Sequence, residues 1–244
     1  MTDKSTYRPQ KNKRSHASLQ DAEGIRDCVD KAFANSTFSK LMFPREKAHL
    51  TPPGVFRAHM IARQRKRMDD PNAHYFKAVD PDRSNAVVGY ANWYLPGHLP
   101  KKVASTSEQQ PAAESMLHDV ADASPIGGVN ADERPACING EAMDEFNEKM
   151  DKQREKIWST NSNYYYLGAL GVDSAYKGRG IARQLMQFGI ESADKDGLPI
   201  YLEATPDGMP MYQARFSFEP VSEFEIADGQ YKVVLMIRPP RAKA

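Results

Sequence analysis

Apolar residues recur along the chain at two spacings, one typical of strands and the other of helices. Alternating or continuous apolar runs predict strands near residue 16 and at residues 73–79, 85–95, 164–172, 199–205, 218–227 and 231–237. Helical spacing predicts helices at residues 21–34, 51–68, 140–158 and 181–195. Strands therefore come both before and after helices, which indicates a single α/β domain rather than two domains.

Polar segments mark the predicted limits of this domain. Residues 1–15 carry too little apolar surface to fold alone, so we expect a disordered tail there. The domain is predicted over residues 16–238, with a second tail at residues 239–244. Residues 96–136 show no sustained period and form a long insertion. Loops of this length are usually either functional lids or disordered, and both interpretations stay open.

Overall charge indicates that partners are recognised locally. The 33 basic and 32 acidic residues among 244 nearly cancel, so we expect neither nucleic acid nor a membrane surface as a partner. No apolar run approaches the length that spans a bilayer. Cys28 and Cys137 lack metal-ligand spacing, which favours a reducing compartment and argues against a structural metal. These features predict a soluble cytoplasmic protein.

The turn that follows the predicted strand at residues 164–172 has the features of a pyrophosphate site. Side-chain bulk is small at Gly178, Gly180 and Ala182, where successive backbone N–H groups can close around phosphate oxygens. The amides stand at the start of the helix at residues 181–195, where the helix dipole is positive. Formal positive charge comes from Lys177, Arg179 and Arg183.

Spacing around this turn narrows the interpretation. The dinucleotide fingerprint and the triphosphate loop each need a glycine pattern that differs from the one here. Instead, Leu170-x-Val172 in the strand is followed by Lys177-x-x-Gly180-x-Ala182. This arrangement resembles the acetyl-CoA signature of the GNAT superfamily of N-acetyltransferases, which usually has Arg or Gln at the position of Lys177.

Later segments extend the resemblance. The order of residues 202–205 and then Pro210, Met211 and Tyr212 is especially similar to the puromycin-acetyltransferase-like branch. Ser217 stands where the family's closing motif has glycine, and the spacing is one residue longer than usual. The resemblance implies a mixed, mostly antiparallel sheet with helices on both faces. Its central parallel strand pair would splay apart to admit the cofactor.

The resemblance also implies a ligand and a set of contacts. Acetyl-CoA would be the cosubstrate, with no metal, and a backbone N–H near Val172 would polarise the thioester oxygen. The pantetheine amides would pair with the strand as though they were another strand. The implied cofactor-binding residues are Leu170, Gly171, Val172, Lys177, Gly178, Arg179, Gly180, Ile181, Ala182 and Arg183.

Glu203 and Tyr212 are the candidate catalytic residues. Alternation places Glu203 on one face of its apolar strand, where a carboxylate is costly unless it is paired or functional. It could take the proton of the amine, or it could be a hydrogen-bonded structural residue. Tyr212 could donate its phenolic proton to the leaving thiolate, as the resemblance implies, or its ring could pack under the cofactor. The scattered histidines show no ligand spacing, and none is assigned a role.

The favoured function is acetyl transfer from acetyl-CoA directly to a primary amine of a small molecule, without a covalent enzyme intermediate. One alternative is a protein or peptide N-terminal acetyltransferase, and another is a non-catalytic acyl-CoA-binding protein. The identity of the amine and the oligomeric state are open, because fold does not dictate the substrate.

Overall fold

The computed structural model describes residues 15–52, 54–98, 133–160 and 163–241. The strands are β1 Ser15–His16, β2 Ala73–Asp80, β3 Ala86–Tyr94, β4 Tyr165–Val172, β5 Ile200–Ala204, β6 Glu219–Ile226 and β7 Tyr231–Arg238. The α-helices are α1 Ala22–Phe33, α2 Thr37–Met42, α3 Val55–Met68, α4 Gly140–Thr160, α5 Ile181–Asp196 and α6 Met209–Phe216. Short 3₁₀ turns at Leu19–Asp21, Arg45–Leu50, Pro81–Arg83 and Ser174–Tyr176 complete the elements.

All seven strands form one sheet in the order β1-β2-β3-β4-β5-β7-β6. Every neighbouring pair is antiparallel except β4 and β5, which are parallel. This parallel pair is connected through α5, which is the crossover helix that parallel neighbours require. The predicted α/β fold class, with its mostly antiparallel sheet and central parallel pair, is therefore confirmed.

The parallel pair is short and opens at one end. Tyr165 pairs with Ile200, and the pairing ends two residues later where Leu167 meets Leu202. Beyond this point β4 continues to Val172 against β3 alone, while β5 continues against β7 alone. The two strands thus separate toward the end of β4 that leads into the glycine-bearing turn.

A β-bulge marks the start of this opening. On β3, Asn92 pairs with Ala169 and the next residue, Trp93, pairs with Leu167. Gly168 is consequently the extra residue on β4. A bulge bends its strand and interrupts the ladder, which fits its place directly after the last β4–β5 pair.

Helices cover both faces of the sheet, as the resemblance implies. Side chains alternate along β4, so Tyr165 and Leu167 pack into the core beneath α5 and α6. Tyr164 and Tyr166 point to the other face and pack with Trp158 of α4. Helices α1 and α3 also lie on this second face, over β2 and β3.

Close packing fixes α5 against the sheet. An added Cβ at Gly189 would lie 2.2 Å from ring atoms of Trp93, so only glycine lets the helix approach this closely. The Trp93 Nε1 donates a hydrogen bond to the Leu185 carbonyl oxygen at 3.3 Å. The start of α5 therefore has a fixed position relative to the open end of β4.

Some predicted elements differ from the structure. The helix predicted at residues 51–68 begins only at Val55, because Gly54 is left-handed at φ 80° and caps it. Its most buried side chains are His59 and Gln64, not the apolar residues Val55, Met60 and Ile61 that we expected there. Strand β1 includes Ser15, while the rest of the predicted tail and residues 99–132 of the predicted insertion lie outside the described residues.

Candidate active site

A rigid turn leads from β4 toward α5. The Asp173 carboxylate caps it by accepting a hydrogen bond from the Ala175 amide at 3.0 Å. Tyr176 is buried, and its hydroxyl donates a hydrogen bond to the Asp80 carboxylate. The four residues that follow, 177–180, are exposed. A buried tyrosine thus anchors the turn and leaves its glycines open to solvent.

Two glycines shape the start of α5. Gly178 and Gly180 have φ angles of 80° and 78°, a left-handed conformation that favours glycine. An added Cβ at either would meet no atom within 4 Å, so both border open space. Gly180 is the N-cap and offers no side chain to the first amides of α5. Such a helix start presents unpaired N–H groups to an anion.

Positively charged side chains and residues with little or no side chain lie together at the start of α5. Lys177 and Arg183 are exposed and line the same cleft as Gly178, Gly180 and Ala182. Arg179 differs, because its guanidinium lies over the ring of Tyr176, 4.7 Å from the centroid, and does not line the cleft. The arrangement therefore fits a diphosphate through backbone amides and the two flanking cations, while Arg179 adds charge from outside the cleft.

One continuous cleft joins this turn to the candidate catalytic residues. Its volume is about 2660 Å³, and it runs along the part of β4 that β5 does not cover. Nine of the ten predicted cofactor residues line the cleft, together with Glu203 and Tyr212. The structure thus brings together residues from β4, α5, β5 and α6 that lie up to about forty positions apart in the chain.

Glu203 belongs to a buried polar cluster with Arg154 and Tyr166, which we call the Glu203 cluster. Arg154 Nε donates to Glu203 Oε1 at 2.8 Å, and the Tyr166 hydroxyl donates to Oε2 at 2.7 Å. Arg154 Nη2 also donates to the Tyr166 hydroxyl oxygen at 2.7 Å. The Glu203 side chain is 8% exposed. Both of its oxygens therefore have a partner, although each keeps a further lone pair.

Burial and mutual contact set the ionisation of the two partners. Burial raises the pKa of Tyr166 well above its usual value, so the phenol keeps the proton that it donates to Glu203. Burial would lower the pKa of Arg154, but the Glu203 carboxylate and the Tyr166 and Tyr201 side chains together raise it above its usual value. At neutral pH the Glu203 side chain is therefore flanked by a cationic guanidinium and a neutral hydroxyl, both of which donate hydrogen bonds to it.

Tyr212 lies on α6 and lines the cleft. The loop before α6 is fixed by Thr205, whose hydroxyl oxygen accepts from the Gly208 amide at 3.0 Å. The Tyr212 ring packs edge-on against Phe218, with centroids 5.6 Å apart. Burial raises the pKa of Tyr212, which keeps the phenol protonated.

The end of α6 accounts for the unusual residue of the closing motif. Ser217 is left-handed, at φ 59° and ψ 36°, and it caps α6. This is a conformation in which glycine is the usual residue, so Ser217 occupies the expected glycine position at a small conformational cost.

Arg154 is a residue of the candidate site that the sequence did not predict. The signal was present, because Arg154 stands four residues after Met150 and four before Trp158, both of which pack inward from α4. An arginine on the apolar stripe of a helix requires a buried partner. The identity of that partner depended on how α4 packs against β5.

This sheet, with its opened parallel pair beside a glycine-capped helix, is the GNAT fold. A family model described as the acetyltransferase (GNAT) family matches residues 109–218. The matched segment is 110 of the 244 residues, so over a little less than half of its length the chain is similar to the GNAT acetyltransferases.

Solved structures share this fold over nearly the whole chain. One is described as histone acetyltransferase HPA2 and related acetyltransferase from Corynebacterium glutamicum; it is 19% identical, with a TM-score of 0.53 over 94% of this chain and 96% of that chain. Another is arylalkylamine N-acetyltransferase 2 from Aedes aegypti, at 14% identity and a TM-score of 0.52 over 93% and 98%. At such low identities the likeness concerns the fold alone.

The described residues contain neither a helix that could cross a membrane nor a cluster of metal-binding side chains. Within residues 15–52, 54–98, 133–160 and 163–241, no helix is long and apolar enough to cross a bilayer. In the same part of the chain, no three His, Cys, Asp or Glu side chains group closely enough to hold a metal ion.

Proposed function

We propose that the protein transfers the acetyl group of acetyl-CoA directly to a primary amine of a small molecule. The observation that carries this proposal is the separation of β4 from β5 beside the left-handed glycines at the start of α5. The gap leaves one edge of β4 free within the sheet, and the helix start supplies amides for a diphosphate.

Each part of acetyl-CoA has a counterpart in the cleft. The amides of residues 178–183, with Lys177 and Arg183, would bind the diphosphate. The free edge at Leu170, Gly171 and Val172 would pair with the pantetheine amides, and a backbone N–H near Val172 would polarise the thioester oxygen. Arg179 would contribute long-range attraction rather than direct contact, because it lies over Tyr176.

In the proposed reaction, the amine nitrogen attacks the thioester carbon and the carbon–sulfur bond then breaks. Glu203 accepts the proton that the amine nitrogen loses, directly or through a water molecule. Tyr212 donates its phenolic proton to the departing sulfur, and solvent restores that proton afterwards. The acetyl group passes directly between the two substrates, so no covalent enzyme intermediate forms.

The interactions within the Glu203 cluster favour one competing interpretation. In this interpretation, the Glu203 carboxylate only holds β5 and α4 together through its hydrogen bonds to Arg154 and Tyr166, as in a non-catalytic acyl-CoA-binding protein. The assignment of the chain to the puromycin-acetyltransferase-like branch likewise stays a prediction, because it rests on the order of residues 202–205 and 210–212.

A two-part experiment tests the proposal. Calorimetry measures the affinity for acetyl-CoA, and a thiol-release assay then measures turnover with 2-phenylethylamine, spermidine, an aminoglycoside and a peptide with a free amino terminus. Binding together with release on one of the small amines supports the proposal. Release with the peptide alone indicates an N-terminal acetyltransferase, and binding without release indicates a non-catalytic protein. Absence of binding contradicts all three.

A further inference from the structure

A buried carboxylate at the end of β2 forms a hydrogen bond with the turn before α5. Asp80 is 6% exposed and does not line the cleft. Its Oδ1 accepts a hydrogen bond from the Asp82 amide at 3.0 Å, and its Oδ2 accepts one from the Tyr176 hydroxyl, 96 positions along the chain. The bond to Tyr176 therefore satisfies a carboxylate that would otherwise be costly to bury.

The hairpin end between β2 and β3 fixes the position of this carboxylate. The ladder between the two strands extends to this residue, where Asp80 pairs with Ala86. Asp80 is also the N-cap of the 3₁₀ turn Pro81–Arg83, and the ring of Pro81 restricts the backbone there. Because Asp80 is bonded to its own turn through Oδ1, its Oδ2 is a fixed acceptor for the Tyr176 hydroxyl.

The turn that would bind the diphosphate is held at its two ends. Residues 177–180 are exposed, and two of the four are glycines. The buried residues on either side of them are Tyr176, which is 4% exposed, and Ile181, which is 1% exposed. Both pack in the core beneath α5, but apolar packing lacks the directionality of a hydrogen bond. The bond to Asp80 therefore sets the orientation of Tyr176 and, with it, of the amides that follow.

The charges around the Tyr176 hydroxyl suit a site for an anion. Burial raises the pKa of Tyr176, so the phenol keeps the proton that it donates to Asp80. The Arg83 guanidinium donates to the same hydroxyl oxygen at 3.5 Å, and the Arg179 guanidinium lies over the ring. These two cations offset the carboxylate charge, so Asp80 can hold the turn without repelling a diphosphate nearby.

We propose that Asp80 is a positioning residue for acetyl-CoA, holding the Tyr176 hydroxyl so that the amides of residues 178–183 face the diphosphate. The inference rests on the proposed transferase function and extends it to the tip of the β2–β3 hairpin, residues 80–85, which does not line the cleft. Asp80 contacts neither substrate and acts only through Tyr176. It therefore determines the affinity for acetyl-CoA and leaves the rate of acetyl transfer unchanged.

The first test compares two substitutions of Asp80. Asp80→Leu removes both acceptor oxygens, so calorimetry should give a dissociation constant for acetyl-CoA at least about fivefold above wild type. Asp80→Asn keeps a hydrogen-bonding group for Tyr176 and should bind acetyl-CoA within about twofold of wild type. An equal loss of affinity in the two variants overturns the inference.

Kinetics separate positioning from chemistry in the same two variants. Thiol release is measured with an amine that the wild-type protein acetylates. At saturating acetyl-CoA, kcat should equal that of wild type in both variants, and the KM for acetyl-CoA should rise in Asp80→Leu alone. A lower kcat with an unchanged KM contradicts a role in binding.

A further pair of variants separates position from stability. Tyr176→Phe removes only the hydroxyl and keeps the ring beneath Arg179, so this variant decides the question even if Asp80→Leu does not fold. Tyr165→Phe is the matched control, because the Tyr165 hydroxyl donates to the Asp196 carboxylate at 2.6 Å near the other end of α5. The dissociation constant of acetyl-CoA should rise at least about fivefold in Tyr176→Phe and stay within about twofold of wild type in Tyr165→Phe. Urea denaturation checks that both are folded.

Two results of this pair overturn the inference and leave the transferase function standing. One is wild-type affinity for acetyl-CoA in Tyr176→Phe. The other is an equal loss of affinity in Tyr165→Phe, which would mean that any destabilisation of α5 weakens binding. Absence of acetyl-CoA binding by the wild-type protein contradicts the transferase function itself, and this inference with it.

Discussion

The position of Tyr212 on the short helix α6 buries its phenol and keeps it protonated. The residue is 8% exposed, and no charged group offsets the effect of burial on its pKa. A phenol held in its protonated form can donate a proton to a thiolate as the carbon–sulfur bond breaks. The same burial suits a residue that only packs beside the cofactor, so the two roles must be separated by kinetics.

We predict that Tyr212→Phe lowers kcat by about 10²-fold or more, the usual contribution of a general acid. The ring is retained, so its contact with Phe218 persists and acetyl-CoA should bind as in wild type. Thiol release at saturating substrate and calorimetry measure the two quantities. A kcat near that of wild type would restrict Tyr212 to packing.

Glu203 has two separable roles, one in catalysis and one in stability. We predict that Glu203→Gln lowers kcat by about 10²-fold or more, the usual contribution of a general base, and lowers the free energy of unfolding by about 3 kcal/mol, because Arg154 loses its anionic partner. Thiol release at saturating substrate and chemical denaturation are the measurements.

The double variant Glu203→Gln with Arg154→Met provides the control. Removing both charges should recover most of the lost stability, since replacing both members of a buried pair is often neutral. Activity should stay low if Glu203 takes the proton of the amine. A double variant with wild-type activity would mean that the cluster serves stability alone.

Helix α5 offers a matched pair of glycines, one at each end. Gly180 caps the N-terminus at φ 78° and Gly197 caps the C-terminus at φ 69°, and an added Cβ at either meets no atom within 4 Å. The two positions therefore share backbone strain and open surroundings. They differ in that only Gly180 borders the cleft.

We predict that Gly180→Ala and Gly197→Ala each destabilise the protein by about 1–2 kcal/mol, the cost of a left-handed alanine. Only Gly180→Ala should weaken acetyl-CoA binding, by about tenfold or more, because its methyl group enters the space meant for the diphosphate. Thermal denaturation and calorimetry test this pair. Equal loss of affinity in both variants would place the diphosphate elsewhere.

Local signals were enough to predict most elements and the turn before α5. Long periodic segments such as α4 and α5 need only their own sequence, and so does a glycine-bearing turn after an apolar strand. The six-residue helix α2 was missed because its period is too short to recognise. Helix α3 begins at Val55 rather than at residue 51, because the left-handed Gly54 caps it there although the two preceding prolines favour an earlier start.

Contacts between distant segments limited what could be predicted of the site. Arg154, Tyr166 and Glu203 come from three different elements, and their meeting depends on how α4 packs across β4 and β5. The sequence indicated that Glu203 is either paired or functional, yet its partners were visible only in the folded chain.

At the scale of the whole molecule, one ion pair ties the last strand to α5. Arg238 at the end of β7 is 2% exposed and donates to both carboxylate oxygens of Asp194, at 2.7 and 2.9 Å. The Arg238 hydrogen bonds lower the pKa of Asp194 below 3.8. The contribution of the Asp194–Arg238 ion pair to stability is therefore complete above pH 3.8, and it is lost as the pH falls through the lowered folded-state pKa of Asp194.

We predict that Asp194→Asn lowers the free energy of unfolding at pH 7 by about 3 kcal/mol, because Arg238 stays buried without its anionic partner. The difference from wild type should narrow below pH 3.8, where the wild-type carboxyl group also becomes neutral. Urea denaturation at several pH values measures this. A difference independent of pH would attribute the effect to packing.

Strands β4 and β5 pair at only three residues each, so the sheet consists of two halves joined by this short parallel ladder. Main-chain amides at residues 168–172 that point into the opening have no strand to protect them on that side. A pantetheine arm lying there would form hydrogen bonds with these amides in place of a strand. Amide hydrogen exchange in this stretch should therefore slow markedly when acetyl-CoA is added, while exchange in β6 and β7 stays unchanged.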